Sequence, residues 1–455
     1  MKRILSVLLL TAMLTACGTG TGTTTSDAVS GDTNTADVSA SGDETAETEP
    51  DYSDFVFPEE TDTLVVYSSG MLNQTMNPAI KIFEEMYPYI NVDYRVLSEA
   101  EHENLLRTEI PAGTGPDLVF SYGIELPDIY KTMTTGVFTD LNPYLHNDEE
   151  FRFDEYIQGV FTGSQIEGRQ YMVPIQVKMP VVLTTVEILE ESGIKPEQLD
   201  TYEGFLDACA AFKNNNPDSA LFDFDAGAGF LIDLYDLSGL NFIDYAANTI
   251  TMDKEALNKL ADVSKLYYNP NAGEPAVDGA LSSFINRKYM FRSYPTNSFL
   301  MVNDSAAIKN FGNETPYLTL VPDPYGGTTA NLMTSAAIPE GSSNKLNAYR
   351  LLKILLSEDI QYGSNAFLGM PIHLESIRKN FASSVERNRA LELNVAEEDY
   401  EPLIEKFQNI TRAFVSPSII RRYLKLEMSP YLAGKRSFDD CYDNLKNTLE
   451  LYKDE

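Results

Sequence analysis

Three histidines, three cysteines and 68 carboxylates are the side chains of this 455-residue chain with the strongest claim to chemistry. Their spacing excludes more than it offers. His102, His146 and His373 are scattered, with neither H-x-x-x-H nor C-x-x-C around them, so no metal ligand set is expected. No G-x-S-x-G elbow, Ser-His-Asp order or H-E-x-x-H stretch occurs, which removes the common hydrolase signatures. Asp223-Phe224-Asp225 is a fragment of a calcium loop that lacks the remaining ligand positions, and it reads as an ordinary loop. A secreted glycan-acting hydrolase stays open as an alternative, since two carboxylates about 5–10 Å apart suffice for one and carboxylates abound. Cys209 and Cys441 are equally compatible with two buried thiols and with one disulfide. No P-loop or Rossmann motif is present, so no cofactor is expected. The formal charge of −34 repels phosphate backbones and makes nucleic acid an unlikely partner.

The third cysteine belongs to a different pattern. Residues 1–16 start with Lys2 and Arg3, run apolar from Ile4 to Leu14 and end on Thr15-Ala16, the shape of a secretory signal peptide. With Gly18 behind it, Cys17 resembles the cysteine of a bacterial lipobox. That resemblance implies cleavage before Cys17, diacylation of its thiol, and a mature chain held by lipid on the outer face of the cell membrane, of Gram-positive type rather than facing a periplasm. An uncleaved anchor helix is the competing reading, but the apolar run falls short of the roughly 20 residues of a span. Residues 17–61 then form an acidic stalk. From Gly18 to Thr61 they carry eleven Asp and Glu and no Lys or Arg, too polar to fold alone and self-repelling enough to stay extended. Its aromatic end, Phe55-Val56-Phe57-Pro58, is placed to dock on the body.

Residues 62–455 hold a charge of −25 and exceed what one core normally serves, so two lobes are expected. Thr63–Tyr67 is an apolar run closed by Ser68-Ser69-Gly70. Asn77–Tyr87 has helical spacing, with Asn77 as cap and Pro78 in the first turn. Asn91–Val96 alternates as a strand, Glu99–Ile110 reads as a helix, and Ala112-Gly113-Thr114-Gly115-Pro116 leads into the strand Asp117–Phe120. This β-α-β-α-β order predicts an α/β protein with a mainly parallel sheet and ligand crevices at the carboxyl ends of its strands.

The succession Gly113-Thr114-Gly115-Pro116-Asp117-Leu118-Val119, Gly136-Val137-Phe138-Thr139-Asp140-Leu141, Gly168–Pro174, Thr201-Tyr202-Glu203-Gly204-Phe205, Phe284–Met290, Ser335–Pro339 and Tyr431–Asp440 resembles the family 1 extracellular solute-binding proteins, lipoproteins that serve ABC importers. The likeness covers nearly the whole mature body. It implies a two-lobe, periplasmic-binding-protein-like (type II) fold, hinged, with a ligand cleft between discontinuous lobes. Residues 62–174 and 321–368 are expected in the N-lobe and residues 175–320 and 369–455 in the C-lobe. The crossovers fall near Val173–Lys178, Leu320–Pro324 and Gly363–Pro371. The resemblance further implies a monomer that captures a sugar by cleft closure and presents it to the transmembrane subunits of an ABC permease. A ligand-binding accessory to a membrane sensor would use the same fold without transport.

Position alone then nominates ligand contacts. Tyr67, Ser68 and Ser69 end the first strand, and Ser121 and Tyr122 end the third. Gln176 and Lys178 follow the first crossover, Arg292 and Tyr294 occupy the loop after Tyr289-Met290, and Asn331 lies in the turn after Gly326-Gly327. Each has a plainer reading: Tyr67 packs under a helix, Ser121-Tyr122 only close a strand, Arg292 makes a surface ion pair and Lys178 stabilises an acidic fold. The chain has no tryptophan, so any sugar stacking must rest on Tyr and Phe, which weakens the case for long maltodextrin-like ligands. The basic pair Lys178 and Arg292 would favour an acidic group on the ligand.

Overall fold

The computed structural model describes residues 51–59, 61–122, 129–222, 230–268, 281–293, 299–363 and 369–454. Cys17, the leader, most of the stalk, Asp223-Phe224-Asp225 and Tyr294 lie outside the described residues. The strands in chain order are β1 (Thr63–Ser69), β2 (Asn91–Leu97), β3 (Leu118–Tyr122), β4 (Val173–Lys178), β5 (Val181–Thr185), β6 (Ala220–Phe222), β7 (Ile243–Asp244), β8 (Thr249–Ile250), β9 (Tyr289–Ser293), β10 (Pro316–Leu320), β11 (Thr329–Ala337), β12 (Met370–Pro371) and β13 (Arg412–Phe414). One sheet runs β12-β4-β11-β3-β1-β2, with β13 pairing β11, and a second runs β10-β5-β9-β6. β1 is parallel to β2 and β3, whereas β11 is antiparallel to β3 and β4. The chain is therefore α/β with a mixed first sheet, in two lobes each built on its own sheet.

The first helix corrects one expectation. It spans Asn73–Met86 with Pro78 in its interior, so Asn77 is no cap. The buried stripe explains this: Leu72, Met76, Ala79, Ile80 and Phe83 share one face, and that spacing begins a turn before the proline. The second helix, Glu99–Ala112, opens on a capping box between Ser98 and Glu101 and closes on Gly113, as such signals require.

Alternation in β5 shows how the cores are divided. Val181 and Leu183 join the hydrophobic cluster of the first sheet, while Val182, between them, joins that of the second. The helices Leu374–Arg389 and Glu401–Gln408 cover the former face, through Phe381 and Phe407. The first crossover is Met179-Pro180, between β4 and β5, and the second is the segment 321–328 between β10 and β11. After β12 the expected C-lobe run is interrupted. β13 returns to the first sheet beside β11 before the helix Ser418–Leu432 buries Ile420, Leu424 and Met428 in the second cluster.

Close backbone approach holds β13 in place. In the helix Gln158–Gly163, a Cβ on Gly159 would stand 1.8 Å from the Ile410 carbonyl oxygen, and one on Gly163 would stand 2.4 Å from the Ala413 nitrogen. Only glycine allows this contact. The stalk's aromatic end also docks. Phe55 and Phe57 meet the Tyr144 ring at 4.7 and 5.8 Å, and Asn147 Nδ2 donates to the Tyr52 carbonyl. Cys209 and Cys441 are separate buried thiols.

Candidate functional site

β4, β5, β9 and β11 converge where the chain first passes between the sheets, and a cavity of about 180 Å³ opens there. Among the described residues it is lined by Lys178, Met179, Pro180, Asp233, Asp236, Leu237, Ser293, Thr329 and Asn331. Lys178 and Asn331 are register partners across β4 and β11, so two of the nominated residues line this cavity. Asn331 reaches the cavity from a strand, however, and not from the anticipated turn. Ser293 follows Arg292 on β9, and its buried hydroxyl has no hydrogen-bond partner among the described residues.

The carboxylates come from the helix Phe230–Ser238, in which Asp233 and Asp236 interrupt an otherwise apolar run. Spacing of three puts both on one face. Arg421 Nη2 lies 3.1 Å from Asp236 Oδ2. Burial pushes the Asp233 carboxyl up to about 7, helped by the Asp236 charge and opposed by Arg421 and Lys178. Burial also raises Asp236 against the pull of Arg421 and lowers Lys178, whose ammonium the two aspartates hold back up. The result is a desolvated set of two carboxylates and two cations with donors and acceptors side by side, suited to hydroxyl groups. The sequence signal for Asp233 and Asp236 was the pair of acids inside an apolar nonapeptide.

Arg292, Tyr67, Ser68, Ser69 and Gln176 are taken up within the protein. Arg292 lies in β9, not in a loop, and is 1 % exposed. Its Nε stands 2.8 Å from Asp304 Oδ2, itself fully buried. Its charge is thus compensated within the protein, which corrects both the surface ion pair and the basic pair with Lys178. Tyr67 donates its hydroxyl to Glu109 Oε2 at 3.0 Å and accepts from Arg95 Nη1 at 2.8 Å, so its side chain is taken up by the second helix and β2. Ser68 Oγ is bonded to Tyr94 at 2.9 Å, and Ser69 is buried beside it. Gln176 Nε2 donates to the Gly369 carbonyl and its Oε1 accepts from Thr334. Ser121 and Tyr122 pair in register with Ser335 and Thr334 of β11.

A second inter-lobe cavity, about 510 Å³, lies on the β13 side of β11. Tyr130, Gln165, Glu167, Asn241, Asp244, Tyr245, Tyr325 and Arg412 line it. Tyr130 and Tyr245, one from each lobe, stack there at 4.9 Å. A larger acidic hollow of about 710 Å³ around His373 lies on the first core, and Lys353 and Arg378 pair with its carboxylates or their neighbours. Among the described residues there is no group of metal-ligating side chains, and no helix is long and apolar enough to cross a membrane.

Residues 69–362 match the family model of bacterial extracellular solute-binding proteins. The sugar-binding protein MalE of Xanthomonas citri superposes with a TM-score of 0.63 at 16% identity, over 86% of this chain and 97% of that one. A family 1 extracellular solute-binding protein of Alicyclobacillus acidocaldarius gives 0.59 at 14% identity, over 88% and 100%. The cyclic alpha-maltosyl-1,6-maltose binding protein of Arthrobacter globiformis gives 0.57 at 17% identity, over 87% and 99%. In sequence, 144 residues are 27% identical to an erythritol/L-threitol-binding protein of Mycolicibacterium smegmatis, a match that spans 28% of this chain and 30% of that relative's length.

Proposed function

We propose that this chain, which belongs to the family of bacterial extracellular solute-binding proteins, captures a small neutral polyhydroxylated ligand, a monosaccharide or polyol, at the Lys178–Asn331 cavity. The observation that carries this reading is the charge compensation there. Asp233 and Asp236 face Lys178 and Arg421, so neither a cationic nor an anionic ligand gains much, while vicinal hydroxyls find both acceptors and donors. Sugars and polyols are what the names of several similar proteins state as ligands, which supports the class.

Because the cavity has walls from both sheets, a bound ligand favours the closed arrangement of the lobes and shifts the hinge equilibrium toward it. Delivery follows as the partner step: the monomeric chain, tethered through lipid on Cys17 at the outer face of the membrane, presents the closed form to an ABC permease. The test is thermal unfolding of the unlipidated mature chain against tetritols, pentoses, hexoses, disaccharides and uronates. Ligand at about 100 times its Kd stabilises by roughly 2.7 kcal/mol, a shift of some degrees. A shift from one neutral class, lost in Asn331→Ala and Asp233→Ala and accompanied by no turnover, is expected. A shift confined to uronates, or release of a product from a glycan, would overturn the reading.

A further inference from the structure

The chain holds 68 acids against 34 bases, and the described arginines that lie near an acid are paired with it. Arg95 meets Asp93, Arg107 meets Glu103, Arg287 meets Glu191 and Glu314, and Arg421 meets Asp236. Arg412 is not among them. Among the described residues no carboxylate comes within ion-pair distance of it, and its Nη1 is buried without a hydrogen-bond partner. A desolvated guanidinium N–H with no acceptor is costly.

We propose that the second inter-lobe cavity is an oxyanion site, in which Arg412 binds a small carboxylate- or phosphate-bearing molecule. Arg412 is held for that purpose. Its Cζ lies 4.0 Å from the centroid of the Tyr325 ring, and the Tyr325 hydroxyl accepts from the Asn241 amide at 3.1 Å. That ring contact holds the guanidinium at the cavity wall, where arginine can bind an oxyanion bidentately. The backbone beneath it is fixed as well, since β13 is seated against Gly159 and Gly163 and rung to β11. The acids of the cavity do not take Arg412's charge: Glu167 is exposed, and Asp244 Oδ1 accepts from the Ala247 amide at 2.9 Å. The stacked Tyr130 and Tyr245 add an apolar wall, so the ligand is a compact molecule with one anionic end and not a polyanion.

The experiment is isothermal titration of the unlipidated mature chain with inorganic phosphate and, separately, with the monocarboxylate acetate, at an ionic strength held constant by chloride. One of the two anions is expected to bind with one-to-one stoichiometry, and which one does identifies the oxyanion. Arg412→Met is expected to weaken it at least tenfold, and Arg412→Lys less, because lysine keeps the charge and loses the fork. Tyr325→Leu, a second variant away from the charge, is expected to weaken it several-fold by freeing the guanidinium. Absence of binding by both anions, or Arg412→Met binding as tightly as the native chain, would overturn the proposal. The sugar and polyol panel, run on the same variants, separates this site from the first: Arg412→Met leaves that response unchanged, and its failure in the native chain bears only on the Lys178 cavity.

Discussion

Two arginines, Arg292 beside the first cavity and Arg412 in the second, show how differently the same side chain is used within one pair of lobes. Arg292 is sealed in the second lobe against Asp304 at 2.8 Å. Arg412 sits at the lobe boundary, against the Tyr325 ring and without an anion among the described residues. A buried pair is structural: its members neutralise each other and leave little for a ligand. An uncompensated cation in a cavity is a recognition element waiting for a charge. The lesson is that a basic residue near a cleft says little until its partner is known.

The comparison predicts first, and most strongly, what happens when the sealed pair is broken. Arg292→Met leaves Asp304 buried without its cation, and removal of one member of such a pair costs about 3–5 kcal/mol. Chemical denaturation is expected to show that loss. Arg412→Met, by contrast, removes a buried N–H that has no acceptor and is expected to leave stability unchanged or raise it. Equal losses in the two variants would erase the distinction between them.

A second, smaller effect concerns the compensated carboxylates. Burial, with Asp236 nearby, raises Asp233 to about 7 from an ordinary value of 3.8. In that window the folded state holds a proton that the unfolded state has released, so stability falls as pH rises from about 4 to 7. Asp233→Asn removes the titration. Its unfolding free energy is expected to gain on that of the native chain between pH 5 and pH 8, by an amount on the order of 2 kcal/mol. A constant difference across that range would show that Asp233 is not desolvated.

How much of this was legible beforehand differs between scaffold and site. The opening β-α-β-α-β order could be read because its strands and helices carry local signals: apolar runs, a Ser98 cap and the Gly113 stop. The helix start at Asn73 was misplaced because Pro78 is a strong start signal, and the buried stripe through Leu72 and Met76 outweighs it. The place of Lys178 at the end of β4 was legible from the apolar run before it, whereas Asn331, expected in a turn, lies on β11 beside it. Arg292 was not, since nothing local announces a partner twelve residues later on another element. Arg412 and Tyr325 were invisible for the same reason, being 87 positions apart and joined only by the return of β13 to the first sheet.

That return can itself be tested. Gly163 lies where an added Cβ would meet the Ala413 nitrogen at 2.4 Å and the Arg412 Cα at 2.8 Å. These are backbone atoms, which cannot swing aside as a flexible side chain does. Gly163→Ala must therefore push β13 away from the helix, at about 1–3 kcal/mol for an overpacked contact. Because Arg412 rides on that strand, the displacement separates the guanidinium from the Tyr325 ring, whereas the Lys178 cavity is reached only indirectly, through the β11 backbone that β13 pairs at Thr329 and Asn331. The variant is expected to lose oxyanion affinity and to keep its sugar or polyol response, measured by titration below its lowered unfolding temperature. Parallel loss of both would mean that the two cavities are not independent, and that β13 sets the relation of the lobes as a whole.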